Sequence, residues 1–202
     1  PGARPVRIPG ALCHDRAMDE SLPVAIVGAG IGGLTLAITL YRRGVPVTVY
    51  ERAAQLREVG AAVALSANAL RTMEPLGLLP ELERAGTEPT ELIYRHWDSP
   101  ATVHAFPVGR DARYRTRFGV PYLGIHRAEF QRVLAAACPP GTLRLGHAVT
   151  GITDAGDRVL VELDGGRVEP ARIVVGADGV HSRLRAAVDP DAAAAYTGTS
   201  GF

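Results

Sequence analysis

The stretch Leu22–Arg52 constrains the fold of this chain more than any other part of the sequence. It begins with an apolar run, Val24–Val27, that has the composition of a buried parallel strand. Three glycines in the pattern G-x-G-x-x-G follow the run: Gly28, Gly30 and Gly33. In this pattern the first glycine makes a tight turn, the second lets a pyrophosphate approach the backbone, and the third lets a helix pack against the sheet.

The segment after the glycines completes the unit. Its apolar spacing predicts a helix over 31–43, and Gly44 is placed to end that helix. A second strand is predicted over 45–50 and ends at Glu51. The free N–H groups at the helix start attract a pyrophosphate, and a carboxylate at the end of the second strand can accept hydrogen bonds from ribose. The unit therefore predicts a dinucleotide site in an α/β fold.

Two other interpretations of this stretch are weaker. Ser21–Tyr41 carries no charge and contains a G-x-x-x-G spacing, as membrane helices do. However, Pro23 and the clustered glycines weaken a continuous helix, and the strand and acid that follow would be unexplained. A signal peptide is disfavoured because Asp19 and Glu20 stand where a basic region is required. We therefore expect no membrane association.

The composition excludes several classes of partner. The 202 residues carry a net charge of +1, which gives no electrostatic surface for nucleic acid or an anionic membrane. Two cysteines, Cys13 and Cys138, provide no disulfide framework, and we therefore expect a reducing cytoplasm as the localisation. The six histidines show no ligand spacing, so no metal site is predicted.

The N-terminal segment and the middle of the chain give weaker signals. Residues 1–21 are expected to be a disordered extension, because 1–17 lack apolar periodicity and Met18 resembles a natural start. Apolar spacing favours helices over these ranges: 69–76, 79–85 and 127–137. Strands over 91–97 and 102–106 are predicted to form a hairpin. The polar run 109–119, with four arginines, is interpreted as a solvated loop.

The last third of the sequence is rich in strand signals. Candidate strands lie over these ranges: 143–145, 148–153, 159–163, 167–168 and 171–175. The third and fourth are joined by Asp164-Gly-Gly, a strong hairpin turn. The fifth leads into Gly176-Ala-Asp-Gly-Val-His-Ser-Arg-Leu-Arg, a second predicted strand, turn and helix, which Asp189-Pro ends.

Four stretches together resemble the FAD-dependent single-component aromatic hydroxylases of the salicylate and 6-hydroxynicotinate monooxygenase type. They are 28–52, 58–71 with the following Leu76-Gly-Leu, 125–134, and the Gly-Ala-Asp-Gly segment 176–185. The first occurs in many nucleotide enzymes, whereas the fourth is far more specific. The resemblance implies a Rossmann-like FAD-binding domain, in which a parallel sheet has flanking helices and a β-meander.

The same resemblance implies a domain organisation. The FAD-binding domain would span 22–187, with the strands near 91–106 belonging to a substrate-domain sheet, and 188–202 would begin that truncated substrate domain. Only about the first half of a typical member is covered. A second chain or segment that completes the flavin site is therefore a possible partner.

The resemblance also implies roles for particular residues. The FAD pyrophosphate would face four glycines: Gly28, Gly30, Gly32 and Gly33. Glu51 would bind the adenosine ribose, Arg52 would lie beside the adenine, and the backbone at Val149 would border it. Arg127 would reach the phosphate or ribitol region, or would simply pair with a surface acid at a helix start. Asp178 would contact FAD and NAD(P)H, cap the helix that follows, or do both.

The implied activity is hydroxylation of a small phenolic or heteroaromatic acid. NADH or NADPH would reduce the flavin, and molecular oxygen would form a flavin hydroperoxide that hydroxylates the ring. No residue of this chain is identified as a catalytic base. Gly60-Ala-Ala and Ser66-Ala-Asn depart from the usual pattern, and Ala64 stands where some relatives have histidine, so the substrate of those relatives does not transfer.

Three alternatives stay open at the level of sequence. The first is another flavoprotein of the same fold, such as an epoxidase, halogenase or reductase. The second is an NAD-dependent dehydrogenase, which would leave the motif at 176–179 unexplained. The third is a non-catalytic FAD-binding fragment that needs a second chain.

Overall fold

The computed structural model of the protein describes residues 19–56, 61–110, 113–191 and 195–198. Most of the expected extension, and parts of the second motif and of the last segment, lie outside these residues. The chain forms two compact units. The first unit consists of Pro1–Gln55 with Cys138–Phe202, and the second unit is Leu56–Ala137. The expected boundaries at 22, 187 and 188 stay predictions.

The elements are numbered in chain order within the described residues. The strands are β1 Val24–Val27, β2 Val47–Glu51, β3 Ala62–Leu65, β4 Glu91–Arg95, β5 Thr102–Pro107, β6 Leu123–His126, β7 Leu143–Leu145, β8 Val149–Asp154, β9 Val159–Leu163, β10 Val168–Ala171 and β11 Ile173–Gly176. The helices are α1 Ile31–Tyr41, α2 Ala67–Met73, α3 Leu79–Ala85, α4 Arg113–Phe118, α5 Arg127–Ala137 and α6 Arg185–Val188.

The core of the first unit is a four-stranded parallel sheet in the order β11-β1-β2-β7. Strand β1 lies in the interior of this sheet, and all four of its residues are buried. This confirms the predicted α/β fold with a parallel sheet. The chain crosses from β1 through α1 to β2 on one side, whereas β11 pairs on the other side of β1. The strand order therefore reverses at β1, and a crevice at such a reversal is where open parallel sheets bind ligands.

Helix α1 covers this sheet with one apolar face. Its buried residues are spaced as one side of a helix: Gly33, Leu34, Ala37 and Ile38. The helix ends two residues before the predicted end, and Gly44 adopts a φ of +75° while its N–H donates to the carbonyl of Tyr41. Among the described residues, no helix is both long enough and apolar enough to cross a membrane.

A three-stranded antiparallel meander, in the order β10-β9-β8, packs within the first unit. The predicted hairpin at Asp164–Gly166 joins β9 to β10. The predicted strand over 171–175 is wrong at its start, because Ala171 ends β10 and Ile173 begins β11. The break has a packing reason, since Ala171 is buried beside Tyr50 and Val161.

The second unit contains a small sheet that the sequence analysis did not predict. Strand β3 pairs antiparallel with β6, and Leu65 pairs with the buried Leu123. The helix that follows β3 begins at Ala67 rather than at the predicted 69. Helices α3 and α5 have the predicted bounds.

The predicted hairpin forms between β4 and β5 and is exposed along most of its length. The rings of Tyr94 and Phe106 pack edge to face with centroids 5.9 Å apart, and both side chains are exposed. Trp97 follows β4 and is 89% exposed. An isolated two-stranded hairpin has little stability of its own.

The arginine-rich run over 109–119 is not the solvated loop expected from its charge. It contains α4, in which Arg115 donates to Glu88 through Nε and Nη2 at 3.1 and 2.9 Å. Arg115 also pairs with Glu83 at 3.0 Å. These acids lie in α3 and just after it, so a pattern search within the run could not reveal them. Hydrogen bonds from Arg115 hold the pKa of Glu88 below its ordinary value.

Replacing this arginine should destabilise the second unit. The side chain of Glu88 is only 11% exposed, and Arg115→Ala would leave its charge without its two-point partner. We expect a loss of about 1–2 kcal/mol in the free energy of unfolding at pH 7, because Arg115 itself is partly screened by solvent. Urea unfolding measures it. Arg113→Ala, on the same helix but exposed, is the matched control, and equal stability of the two variants would contradict the expectation.

Candidate functional site

The turn between β1 and α1 is closed by backbone contacts on one side. Gly28 adopts a φ of +108°, a conformation that side chains rarely tolerate, and its N–H donates to the carbonyl of Tyr50 at 2.8 Å. A Cβ at Gly28 would overlap the carbonyl oxygen of Ala177 and lie 3.1 Å from the Cα of Asp178. A Cβ at Gly33 would overlap the carbonyl oxygen of Gly28. These two glycines are therefore required by the fold itself.

The other two glycines of the turn have open surroundings. A Cβ at Gly30 or at Gly32 would meet no heavy atom within 4 Å. Gly30 precedes α1, and its carbonyl accepts the N–H of Leu34 at 3.0 Å. The open space at Gly30 and Gly32 is bordered by the free N–H groups of the first turn of α1. We call this space the cradle. Open backbone of this kind is what a pyrophosphate needs in order to approach closely, and a side chain at either position would occupy that space.

Glu51 lies at the end of β2 and reaches the glycine turn. Its Oε2 accepts the N–H of Ala29 at 2.8 Å, and its Oε1 accepts the N–H of Ala53 at 2.9 Å. Each carboxylate oxygen has a further lone pair, so a ribose hydroxyl can still donate to Glu51. Arg52 is the next residue and is exposed. The sequence predicted that Glu51 ends the second strand, but it did not indicate the hydrogen bond from Ala29.

Asp178 lies in the turn after β11, beside the glycine turn. The two turns are joined because Ala177 N–H donates to the carbonyl of Val27 at 2.8 Å. Oδ2 of Asp178 accepts the N–H groups of Arg183 at 2.8 Å and Leu184 at 3.4 Å, so the carboxylate does cap the segment that follows. Its Oδ1 is buried and has no hydrogen-bond partner within the part of the chain that the structure describes.

A cavity of about 360 Å³ opens beside Asp178. It is lined by residues from β8, β11 and the turn into α6, among them Ile152, Gly176, Asp178, Ser182 and Leu184. Ser182 is a site residue that was not predicted individually, and its Oγ accepts the N–H of Arg185 at 3.1 Å. Ser182 lies three residues before Arg185, where α6 begins. A serine at this spacing before a helix is typical of a capping residue, and this signal could have identified Ser182.

The ionisation of Asp178 results from two opposing effects. Burial of the carboxylate raises its pKa, but the nearby Ser182 hydroxyl and the backbone N–H groups of Arg183 and Leu184 lower it by more. The net pKa of Asp178 is below its ordinary value. The carboxylate is therefore charged at neutral pH, and its buried Oδ1 has the capacity to accept a hydrogen bond.

Replacing Asp178 should remove stability that depends on pH. Because the folded state lowers the pKa of this carboxyl, the stabilisation is complete above about pH 4 and disappears as the pH falls through the lowered value. We expect Asp178→Ala to cost about 1 kcal/mol at pH 7, and the difference from wild type to shrink at pH 3. Urea unfolding across this range tests it, with Asp157→Ala as an exposed control in the same unit. A difference that does not change with pH would contradict the assignment.

Two predicted residues remain: Val149 lies in the first unit and Arg127 lies in the second. Val149 begins β8, pairs with Leu163, and is half-buried against the cluster around Tyr50 and Val161. Arg127 is the first residue of α5 in the second unit, with its N–H 3.3 Å from the carbonyl of Ala61 and its side chain exposed. The roles of Val149 and Arg127 at a cofactor stay predictions. The structure groups the four glycines, Glu51 and Asp178 in one unit.

Comparison with protein families gives one match that spans nearly the whole chain. Residues 21–200 match the family described as FAD binding domain. Among curated relatives, the chain is 38% identical over 175 residues to 3-amino-4-hydroxybenzoate 2-monooxygenase of Streptomyces cremeus. It is 37% identical over 162 residues to 6-hydroxynicotinate 3-monooxygenase of Bordetella bronchiseptica.

These matches cover most of the chain but only part of the relatives. The first covers 87% of this chain and 44% of the relative, and the second covers 80% and 42%. Among solved structures, Klebsiella pneumoniae HpxO complexed with FAD and uric acid has a TM-score of 0.71 and 30% identity, over 81% of this chain and 41% of that one. The chain thus spans less than half the length of the proteins it resembles.

Proposed function

Because the chain belongs to the family of FAD binding domains, we propose that it forms the adenosine and pyrophosphate half of the FAD site of an aromatic-acid monooxygenase. The whole protein would hydroxylate a small aromatic acid with molecular oxygen, using NADH or NADPH as reductant. The relatives named for 3-amino-4-hydroxybenzoate and 6-hydroxynicotinate support this substrate class. Both are aromatic acids that carry a ring hydroxyl, and we propose the same chemistry for this substrate.

The observation that carries the proposal is the contrast among the four glycines. Gly28 and Gly33 are closed by backbone atoms, while Gly30 and Gly32 are open. A turn built only for packing would not need the two open glycines, whereas a pyrophosphate that approaches the backbone does. The cradle also lies where the strand order of the sheet reverses, with a carboxylate at the end of the neighbouring strand.

Each group at this edge has a proposed task. Gly30, Gly32 and the start of α1 would hold the pyrophosphate, while Glu51 would accept a ribose hydroxyl. Arg52 would lie beside the adenine. The buried Oδ1 of Asp178 would accept a hydrogen bond from the bound cofactor. FAD, when bound, supplies the redox and oxygen chemistry, and this chain supplies its binding and orientation. No residue of the chain is proposed as a catalytic base.

The proposal extends to the rest of the protein. The exposed β4–β5 hairpin is proposed to belong to the sheet of a substrate domain, since both of its strands lack a covering layer in the described residues. A second segment or chain would complete the flavin site, because the chain spans less than half the length of its relatives. The cysteine content of two supports a cytoplasmic location.

The test is a visible absorption spectrum of the purified chain after addition of FAD and removal of unbound ligand. We expect a retained flavin spectrum, and we expect ADP to compete with FAD because the proposed half-site holds the adenosine and pyrophosphate. Riboflavin is the matched control ligand, since it lacks both groups and should not be retained. A folded chain that retains no FAD, or that binds riboflavin as well as FAD, would contradict the proposal.

A further inference from the structure

The carboxylate of Glu51 connects more of this edge than a ribose-binding role requires. Both of its oxygens are already hydrogen-bonded to backbone N–H groups, one in the turn after β1 and one in the turn after β2. Ala29 and Ala53 are the two donors, at 2.8 and 2.9 Å. Charged acceptors make stronger hydrogen bonds to N–H groups than neutral ones do. The side chain therefore joins two loops that the β-ladder alone does not join.

A third loop is tied to the same residue through the main chain. The carbonyl of Glu51 accepts the N–H of His147 at 2.9 Å, and the carbonyl of Ala53 accepts the N–H of Gly146 at 3.0 Å. Gly146 and His147 follow β7 and lead directly into Val149 at the start of β8. The turns after three neighbouring parallel strands, β1, β2 and β7, therefore meet at Glu51.

We propose that Glu51 is a positioning residue for the glycine turn, holding it at a fixed distance from the turns after β2 and β7. The inference rests on the proposed function, because the ligand that benefits is the pyrophosphate of FAD. By accepting the N–H of Ala29, the carboxylate fixes the backbone just before Gly30, where the open cradle begins. The backbone of the cradle is then ordered before the ligand binds, which lowers the free-energy cost of ordering that backbone on binding.

The direct test is amide hydrogen exchange measured by NMR in the free chain. In Glu51→Ala we expect the amides of Ala29 and Ala53 to exchange about tenfold faster than in wild type, because each loses its acceptor. His147 is the internal control, since its N–H is bonded to the main-chain carbonyl of Glu51 and should stay protected. Glu91→Ala, which removes an exposed carboxylate at the start of β4, is the matched variant and should change neither amide.

Glu51→Gln keeps the shape of the side chain and guards against a variant that fails to fold. Its amide has one acceptor oxygen where the carboxylate has two, so one of the two amides should lose protection. Unchanged exchange at both Ala29 and Ala53 in both variants would overturn the proposal.

A second readout separates positioning from ribose binding. Inorganic diphosphate carries the charges of the FAD pyrophosphate but no ribose, and its binding can be followed at the amide resonances of Gly30 and Gly32. We expect Glu51→Ala to weaken diphosphate binding about fivefold, even though the variant has lost a negative charge near the anion. Equal or tighter binding in the variant would overturn the proposal. A wild-type chain that binds neither FAD nor diphosphate contradicts the proposed function, and the exchange result then decides the positioning role alone.

Discussion

Gly28→Ala is expected to lower the free energy of unfolding of the free chain by about 3 kcal/mol, which corresponds to a fall in Tm of roughly 10 °C. Two costs add. The alanine would have to adopt the left-handed φ of +108°, and its methyl group would overlap the backbone of Ala177. The neighbouring atoms belong to the main chain that follows β11, so they cannot move away as a flexible side chain could.

Thermal unfolding followed by circular dichroism, in the absence of FAD, measures this effect. Gly30→Ala is the matched control in the same turn, because its φ of −70° suits any residue and its surroundings are open. We expect that control to change the free energy of unfolding by less than about 1 kcal/mol. Equal Tm values for the two variants would show that the backbone contacts around Gly28 do not affect stability.

Gly30→Ala should instead weaken the binding of FAD. Gly30→Ala places a methyl group in the cradle, at the point where a pyrophosphate would approach the backbone. We expect its Kd for FAD to rise by at least about tenfold, because one charge-assisted hydrogen bond is lost or lengthened. Flavin fluorescence titration of wild type and Gly30→Ala measures the ratio.

Gly44→Ala provides the comparison for this titration. It alters a glycine of the same βαβ unit that ends α1, at the opposite end of the helix from the cradle. That variant should lose stability through its φ of +75° and leave the FAD affinity of the folded fraction unchanged. An affinity for FAD in Gly30→Ala equal to that of wild type would place the ligand elsewhere.

The sequence was sufficient for the parts of the fold that are encoded locally. The apolar run, glycine spacing and acid predicted β1, α1 and β2 within a few residues, and Asp164-Gly-Gly predicted its hairpin. Each of these patterns records a backbone or burial requirement within a few residues along the chain. The motif predicted different roles for Gly28 and Gly30, but the atoms that close Gly28 belong to Ala177, far along the chain, and could not be predicted from the motif.

The elements that sequence analysis missed depend on distant partners. Strand β3 has only four residues, and it is a strand because it pairs with β6, which is distant in the sequence. Helix α4 carries three arginines in six residues, so its charge indicated a solvated loop. Only the folded chain shows that Glu83 and Glu88 lie beside Arg115. At the candidate site, the position of Glu51 at the end of a strand was predicted from its spacing to the glycines. Its hydrogen bonds to Ala29 and Ala53 are visible only in the folded structure.

The division of the chain into two units has a consequence for the order in which the protein can assemble. The parallel sheet takes β1 and β2 from before the second unit, and β7 and β11 from after it. As the chain leaves the ribosome, β1 has only β2 beside it until β11 has been synthesised, whereas the second unit can close from contiguous residues. Such non-local pairing slows folding, and it exposes an apolar strand edge for the duration of synthesis. Nascent chains released before residue 173 are therefore expected to aggregate through the unpaired edge of β1.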